Sequence, residues 1–504
     1  MNIKEAKEEM IRTIRAYQRK DETGAYEIPF EQQRPILLIG PPGIGKTAVM
    51  EQIAEECGIG LVAYTITHHT RQSAIGLPMI SHRSFGGKEQ SVTEYTMSEI
   101  VASVYDKIEK TGVQEGILFL DEINCVSETL APTMLQFLQY KTFGTHHVPD
   151  GWIIVTAGNQ PQYNRSAREF DIVTLDRVKK MEIEADFSVW KEYAAANHVH
   201  GSILSYLNIK KQHFYVIRTE VDGRHFVTAR GWEDLSRMIC AYEAMGEAVT
   251  EKMTVQYLQD AQIARDFAVY YDLYKKYSEV YRIDDIIAGR YLPDPAALQE
   301  IPFDEKFSLI RLLADGVHRD LSAYNELTAV QEKLFVILAE MKYPVHAEDS
   351  ASFVYGKRNA LSEELERKQD AGMISREAAR ILRLTAAALK ELGDLLPADT
   401  GSSSGSNEIS SFEYARGWFS AREDAREKRG LKTERELANI FAFLEHVYGA
   451  GHEMVMLMTE LNADRDRLRF VNAHGSVTYD RYNKMLLLKD RDDSLRQEIV
   501  KLTL

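Results

Sequence analysis

The first part of the chain alternates short, mostly apolar runs with longer stretches of helical periodicity. Each apolar run is four to six residues long, which is typical of strands buried on both faces of a sheet. The runs are Ile36–Ile39, Leu61–Ile66, Ile117–Leu120 and Ile153–Thr156. Helical periodicity covers the first 20 residues and the stretches Lys46–Cys57, Met97–Lys110 and Thr129–Tyr140. This alternation predicts an α/β fold, with a parallel sheet covered by helices on both faces.

The pattern becomes predominantly helical beyond residue 185. A small hairpin is predicted within residues 214–227, where Asp222-Gly223 suits a tight turn. Helical periodicity then dominates, for example over Gln256–Lys276 and Ile374–Leu396. A Gly/Ser-rich stretch at 401–406 is typical of a linker. The predicted segments are an α/β core (1–185), a small, mostly helical lid (186–250), a helical region (251–400), the linker (401–406) and a C-terminal helical block (407–504).

Composition and charge exclude some classes of protein. The chain has 504 residues, of which 44% are apolar, so cores of ordinary size can form. Its 61 basic and 76 acidic side chains give a net charge of −15. Because general nucleic-acid-binding proteins carry basic surfaces, we do not expect nucleic acid to be the main partner.

Cysteine usage and the N-terminus favour a cytoplasmic protein. Cys57, Cys125 and Cys240 are odd in number and far apart, so neither a disulfide framework nor a zinc knuckle is expected. The N-terminus is charged from its fourth residue and lacks the apolar segment of a signal peptide. No run of about 18 apolar residues occurs, so no membrane span is expected.

Residues 40–47 match the phosphate-binding pattern G-x-x-x-x-G-K-[ST] and lie between a predicted strand and a predicted helix. Glycines let backbone N–H groups approach phosphates, and a helix N-terminus attracts anions. Lys46 supplies a positive charge for the outer phosphates, and the Thr47 hydroxyl suits Mg²⁺. The predicted nucleotide-binding residues are Gly40, Pro41, Pro42, Gly43, Ile44, Gly45, Lys46, Thr47 and Ala48.

Two carboxylates, Asp121 and Glu122, follow the third apolar run, Ile117–Leu120, and Asp121 lies 75 residues after Lys46. Ligands of open parallel sheets bind at the carboxyl ends of the strands, where this pair would lie. We predict that Asp121 binds Mg²⁺ and that Glu122 orients or deprotonates the attacking water. Asn159 follows the fourth run and is predicted to contact the γ-phosphate, although Gly-Asn is also common in turns.

The order along the chain of the phosphate loop, the acidic pair Asp121-Glu122 and Asn159 resembles that of the AAA+ ATPases. Four segments further resemble signatures of the MoxR group within that class. They are His69–Pro78, Asn159–Pro161, Leu175–Val178 and Thr228–Glu233. The resemblance covers about residues 30–245. The chain departs from the group at Ala229, where proline is usual, and at Val178, where an aromatic residue is usual.

The resemblance implies Mg²⁺-dependent hydrolysis of ATP to ADP by a homo-oligomeric ring, expected to be a hexamer. It implies that Arg177 is an arginine finger that reaches the γ-phosphate bound by a neighbouring subunit, with Arg165 and Arg168 as alternatives. It implies that Arg230 acts from the lid on the nucleotide of its own subunit. A guanidinium suits both roles because it neutralises charge in a phosphoryl-transfer transition state.

Two segments are expected to face a partner, namely residues 76–95 with Phe85 and residues 142–151 with Phe143. In the family, such hairpins line the pore or cover a face of the ring. Each phenylalanine is a candidate for client contact, and packing within its own hairpin is the alternative. The pairs His68-His69 and His146-His147 are not expected to chelate a metal, because adjacent strand residues point to opposite faces.

The leading hypothesis is therefore an ATPase that remodels, matures or activates a client protein. The resemblance adds a possible partner of the von Willebrand factor A type. One alternative is a scaffold that binds nucleotide with little turnover. Another is a nucleic-acid-linked motor of the restriction type, which the net charge of −15 disfavours.

Overall fold

The computed structural model of the protein describes residues 1–68, 74, 76–164, 166–220, 223–341, 350–396, 411–449 and 451–484. Several features discussed above lie outside these residues: His69 to Ser73, Arg165, Asp222 and the linker at 401–406. The chain forms two compact units. Unit 1 comprises Met1–Val189 and Asn359–Arg383, and unit 2 comprises Trp190–Arg358 and Leu384–Leu504.

A parallel five-stranded sheet forms the centre of unit 1. Its strands are β1 (Ile36–Ile39), β2 (Gly60–Thr65), β5 (Gly116–Asp121), β8 (Trp152–Gly158) and β9 (Lys179–Glu182). They lie in the order β2-β5-β8-β1-β9. In this register Ile39 pairs with Gly158, and Leu120 pairs with Thr156. The carboxyl ends of β5, β8 and β1 therefore lie side by side at one edge of the sheet.

Helices cover both faces of this sheet, as its alternating side chains require. The helices of unit 1 are α1 (Ile3–Tyr17), α2 (Lys46–Cys57), α3 (Glu99–Thr111), α4 (Ala131–Tyr140) and α5 (Ile172–Leu175). Ile36 and Leu38 of β1 pack with buried residues of α1 and α2 on one face. Leu37 and Ile39 belong to the apolar cluster on the other face, which includes residues of α3 and α4.

Two hairpins occupy the segments that were expected to face a partner. The first consists of β3 (Pro78–Phe85) and β4 (Lys88–Tyr95), and the second of β6 (Thr142–Phe143) and β7 (His146–His147). Unit 1 also contains residues 359–383, where Ser375 donates its backbone N–H to Glu55 Oε1 of α2 at 3.0 Å.

Unit 2 is mainly helical and contains one small hairpin, β10 (Val216–Glu220) and β11 (Gly223–Val227). Its apolar core lies mostly between two helices of 38 residues, α13 (Phe303–Glu340) and α16 (Ser411–Tyr448), and the shorter α17 (His452–Ala463) and α18 (Arg465–His474). The residues of α6 (Phe187–Ala196), α14 (Ser350–Ala371) and α15 (Arg376–Leu395) are divided between unit 1 and unit 2. The helices are α6 (Phe187–Ala196), α7 (Gly201–Ile209), α8 (Ala229–Met245), α9 (Glu251–Tyr257), α10 (Ala261–Val280), α11 (Ile283–Ile287), α12 (Pro295–Gln299), α13 (Phe303–Glu340), α14 (Ser350–Ala371), α15 (Arg376–Leu395), α16 (Ser411–Tyr448), α17 (His452–Ala463) and α18 (Arg465–His474).

The predicted α/β core with a helical extension is confirmed, and the structure adds two local features. Strand β9 was not predicted, because only Met181 of its Lys-Lys-Met-Glu sequence is buried at this sheet edge. The helical periodicity over Gln256–Lys276 corresponds to two helices, because Asp260 caps a new helix by accepting a hydrogen bond from Ile263 N at 3.1 Å. The division into core, lid and later segments stays a prediction.

Among the described residues, no helix has both the length and the apolar character needed to cross a lipid bilayer.

Candidate functional site

The phosphate-binding loop connects β1 to α2 at the carboxyl edge of the sheet. Gly43 and Gly45 have φ values of 71° and 93°, a left-handed backbone that glycine adopts without steric cost. Gly40 is needed for a different reason, since a Cβ there would lie 2.8 Å from the carbonyl oxygen of Ile183. The loop therefore has the backbone freedom that its sequence pattern predicts.

Lys46 is buried in the first turn of α2, and its ammonium group is held in place by three oxygens. Its Nζ donates to the carbonyl oxygens of Gly40 and Pro41 at 3.0 and 2.9 Å. It also donates to Asn159 Oδ1, at the end of β8, at 2.9 Å. The structure thus brings together two predicted site residues that are 113 positions apart.

Thr47 and Asp121 form the second contact between motifs. Thr47 Oγ1 donates to Asp121 Oδ2 at 3.1 Å, so the end of β5 lies beside the start of α2. A hydroxyl and a carboxylate oxygen this close are the hard oxygen donors that Mg²⁺ prefers. The predicted magnesium ligands therefore fit the ion, and Ala48 lies exposed beside Thr47.

Glu122 follows Asp121 in a left-handed conformation, with φ 57° and ψ 34°. This conformation is uncommon for a residue with a side chain and is often found at functional sites. Asp121 Oδ1 accepts the backbone N–H of Glu122 at 2.8 Å, which stabilises the turn. Glu122 Oε2 accepts a hydrogen bond from Thr67 Oγ1 at 3.0 Å. Thr67 was missed in the sequence because it belongs to no recognisable motif.

Asn124 is a second residue that the sequence did not reveal. Its buried side chain donates to the carbonyl oxygens of Asn159 at 2.7 Å and Arg168 at 3.3 Å. A Cβ on Gly158 would lie 2.5 Å from Asn124 Oδ1, so any side chain there would displace the Asn124 amide. The only signal available was a polar residue two positions after the acidic pair. Asn124 positions the backbone that carries Asn159.

The candidate arginines differ in their surroundings. Arg177 is exposed just after α5, and Asp171 is the acidic group that interacts with it. Arg168 is exposed and forms a surface ion pair with Glu128 at 3.0 Å. Arg230 is exposed in the first turn of α8, in unit 2. The roles of these three residues stay predictions, and Arg165 is outside the described residues.

The two hairpin phenylalanines have opposite environments. Phe85 is 54% exposed at the tip of the β3–β4 hairpin, as a contact residue would be. Phe143 is 1% exposed and stacks on Phe137 of α4, with ring centroids 4.0 Å apart. Of the two alternatives for Phe143, client contact is therefore excluded, and the ring packs against α4 in the core of unit 1 rather than only within its own hairpin.

Cys125 and the histidine pairs play no visible part in this site. Burial raises the pKa of the Cys125 thiol, which disfavours a nucleophilic thiolate. Cys125 Sγ accepts a hydrogen bond from Asn164 Nδ2 at 3.1 Å. The ring of His146 contacts the carbonyl oxygen of Tyr95 at 3.0 Å, and His69 is outside the described residues.

A family model matches the part of the chain that carries this site. Residues 35–178 match the AAA domain of the dynein-related subfamily. The sheet with its phosphate loop is an AAA+ core. The predicted ATP and Mg²⁺ ligands of this AAA+ core all lie within the matched residues, from Gly40 to Asn159.

Two curated proteins are similar to the chain over limited stretches. The Lon protease of Metamycoplasma arthritidis (strain 158L3-1) is 25% identical over 249 residues, which are 46% of this chain and 28% of that protein. Midasin of Giardia intestinalis is 31% identical over 111 residues, which are 22% of this chain and 2% of that protein. The chain therefore spans less than a third of either relative. These likenesses support an AAA+ P-loop ATPase. They do not distinguish the MoxR subgroup from other AAA+ proteins.

Proposed function

We propose that the protein hydrolyses ATP as a ring of identical subunits and uses the energy to remodel, mature or activate a client protein, in the manner of the MoxR group. One observation carries the proposal. Lys46 and Thr47, in the first turn of α2, are hydrogen-bonded to Asn159 after β8 and to Asp121 at the end of β5, respectively, at one edge of the sheet. Each offers the kind of group that a nucleoside triphosphate and its metal ion require.

Different residues of the site would bind the phosphates and the metal ion. Lys46 would exchange its contact with Asn159 for the outer phosphates of ATP, because a phosphate attracts an ammonium more strongly than an amide does. Thr47 and Asp121 would hold Mg²⁺, which neutralises phosphate charge when bound. The left-handed glycines of the loop leave backbone N–H groups free to approach the phosphates.

Glu122 is the proposed water-orienting base. The hydrogen bond from Thr67 holds its carboxylate at one place, and the turn at Asp121 sets its direction. A carboxylate positioned in this way can accept the proton of the attacking water as the phosphoryl group transfers. Loss of that function should leave nucleotide binding intact, because Glu122 lies outside the phosphate loop.

A second copy of the chain would complete the site by supplying Arg177. Arg177 is exposed, and it follows two apolar side chains that are also exposed, Ile172 at 84% and Val173 at 55%. An apolar pair next to a cation suits a surface that another subunit covers. We further propose a hexamer, with Arg230 acting on the nucleotide of its own subunit, by analogy with the MoxR group.

The β3–β4 hairpin is the proposed client-contact element. It carries exposed apolar side chains that a solvated hairpin does not need, with Met79 at 52%, Ile80 at 72% and Phe85 at 54% exposure. A partner of the von Willebrand factor A type is part of the proposal through the resemblance to the MoxR group alone. The soluble, cytoplasmic location is likewise an inference from the sequence.

Mixing two inactive variants provides the sharpest test. Glu122→Gln removes the base and Arg177→Ala removes the finger, so each variant alone should lose at least about 10²-fold in ATP turnover. In rings formed from equal amounts of both, about a quarter of the interfaces should combine an intact Glu122 with an intact neighbouring Arg177. Activity should therefore return on mixing, as measured by phosphate release.

Three outcomes would contradict the proposal. Absence of recovery in co-assembled rings would show that Arg177 does not act in trans. Equal turnover by the wild type and Glu122→Gln would favour a nucleotide-gated scaffold. Loss of activity in Glu51→Gln, a change at an exposed glutamate of α2, would show that the effects are not specific to the site.

A further inference from the structure

Two histidines and an aspartate from three distant segments of unit 2 meet in one cluster. His198 lies in the turn after α6, His318 lies in α13, and Asp466 lies in the first turn of α18. One donor atom from each of the three side chains lies within 4.8 Å of the other two. Imidazole nitrogens and a carboxylate oxygen are the donors of many zinc sites.

His318 is oriented toward the cluster by a carboxylate behind it. Its Nδ1 lies 2.6 Å from Asp464 Oδ2, so the ring carries its proton on Nδ1 and directs Nε2 forward. Metal-binding histidines usually have such a partner, which selects the tautomer and makes the ligand more basic. Asp464 is itself held at the N-terminus of α18, where Oδ1 accepts the backbone N–H of Asp466 at 2.8 Å.

His198 faces His318 nitrogen to nitrogen. His198 Nδ1 and His318 Nε2 are 2.5 Å apart, so the two ring nitrogens face each other across a space that a shared proton occupies or, after a small displacement, a metal ion can occupy. His198 has φ 58° and its side chain is 51% exposed, so the turn presents the ring without burying it. Its other nitrogen, Nε2, lies 3.9 Å from Asp466 Oδ2.

The charges around the pair favour a cation. The carboxylates of Asp464 and Asp466 lie beside the two rings, with Asp464 Oδ2 at 2.6 Å from His318 Nδ1 and Asp466 Oδ2 at 3.9 Å from His198 Nε2. Arg311 pairs with Asp315 at 2.9 Å, and Arg469 lies 3.9 Å from Asp466. Asp464 has no such cationic partner among the described ion pairs other than His318. The negative charge of these carboxylates therefore favours a cation bound at the cluster.

We propose that His198, His318 and Asp466 bind a divalent transition-metal ion, for which zinc is the best match, with Asp464 orienting His318. Zinc–nitrogen bonds of about 2.0–2.1 Å in a tetrahedral site would place the two ring nitrogens roughly 3.3 Å apart. His198 would have to withdraw by somewhat less than about 1 Å, which its exposed turn allows. The ion would join α6, α13 and α18, and its partly exposed position leaves a fourth ligand position for water.

Titration of the full chain with zinc tests this site without using ATPase activity. After chelator treatment, the protein in magnesium-free buffer should bind one zinc ion with sub-micromolar affinity and unfold at a higher temperature. His198→Asn retains a residue that tolerates the left-handed turn but lacks the imidazole. Asp466→Asn retains the hydrogen-bonding shape of the aspartate. Each change should weaken zinc binding at least about 10-fold, and so should Asp464→Asn.

The controls separate this cluster from other zinc-binding groups. His452→Ala removes an exposed histidine at the start of α17 and should leave the affinity unchanged. Cobalt(II) in place of zinc should give a visible spectrum without thiolate-to-metal charge transfer, which excludes the three cysteines as ligands. Wild-type protein that binds zinc no more tightly than the His198→Asn variant would overturn the proposal. Failure of the ATPase predictions would leave this result unaffected, since the cluster belongs to unit 2.

Discussion

The two units of the molecule place their charged side chains in different ways. In unit 1, the charges of the site stand at strand ends, and each is part of a short sequence pattern. In unit 2, charged groups are buried between helices and come from residues more than a hundred positions apart. Arg311 of α13 lies 2.5 Å from Glu460 of α17, and Lys191 of α6 reaches the same carboxylate at 2.8 Å.

This difference shows what each set of charges is for. A charge at the edge of an open sheet remains accessible, so it can meet a ligand. A charge buried among helices must be paired, because an isolated ion in the interior is strongly destabilising. The buried pair of Arg311 and Glu460 therefore specifies how the helices of unit 2 pack, whereas the charges at the strand ends of unit 1 are available for chemistry.

The largest expected effect comes from breaking the buried ion pairs of unit 2. Arg311→Met would leave Glu460 and Asp315 without their shared partner, and should lower the free energy of unfolding by about 3–5 kcal/mol. The measurement is urea unfolding followed by tryptophan fluorescence. Three of the four tryptophans, Trp190, Trp232 and Trp418, lie in unit 2.

An exposed ion pair in the same unit provides the control. Arg237 contacts Asp234 at 2.7 Å on α8, and its side chain is 55% exposed. Arg237→Met should therefore change stability by less than about 1 kcal/mol. If Arg311→Met and Arg237→Met changed the free energy of unfolding equally, buried ion pairs would matter no more for stability than exposed ones, which would contradict the contrast.

The same contrast explains which features could be predicted from the sequence. The phosphate loop, the acidic pair and Asn159 were found because each lies directly after a buried strand. Asn124 and Thr67 were missed, since each becomes a site residue only through a tertiary hydrogen bond. The cluster of His198 and His318 could not be predicted at all, because no spacing in the chain relates two residues 120 positions apart.

The buried ammonium group of Lys141 in unit 1 offers a second test, because the free energy of unfolding should depend on pH through it. Burial lowers the pKa of Lys141 to about 8, and its ammonium group donates to the carbonyl oxygen of Phe30 and lies over the Phe30 ring. From about pH 8 to the unfolded-state pKa near 10.5, the unfolded chain holds a proton that the folded chain has lost. Stability should therefore rise with pH in this window, by roughly 2–3 kcal/mol.

Lys141→Met should abolish this rise, because methionine does not titrate and is an unbranched side chain only one atom shorter than lysine. Since residue 141 keeps its left-handed backbone in both proteins, the strain there should cancel in the comparison. The difference in melting temperature between variant and wild type should be largest near pH 7 and shrink toward pH 10. Lys110→Met, at an exposed position of α3, should show no such trend. A constant difference across this range would contradict the lowered pKa.

Close packing at the site gives a third and smaller effect. Gly158→Ala would place a methyl group 2.5 Å from Asn124 Oδ1, so Asn124 must move away from the backbone of Asn159. We expect a loss of about 1–3 kcal/mol in stability, together with a fall in kcat for ATP. Gly417→Ala is the matched control, because nothing lies within 4 Å of a Cβ there and alanine favours its helix. Normal turnover by Gly158→Ala would show that Asn124 does not position Asn159.

The smallest effect on stability is expected at the hairpin tip. Phe85→Ser removes a side chain that is 54% exposed, so the free energy of unfolding should change by less than about 0.5 kcal/mol. Phe143→Ser is the matched substitution in the other hairpin and should cost about 3–5 kcal/mol, because that ring is buried against Phe137. Thermal unfolding of both variants measures the contrast. If Phe85→Ser proved as destabilising as Phe143→Ser, the Phe85 ring would be a core residue. The proposal that the β3–β4 hairpin contacts a client would then be contradicted.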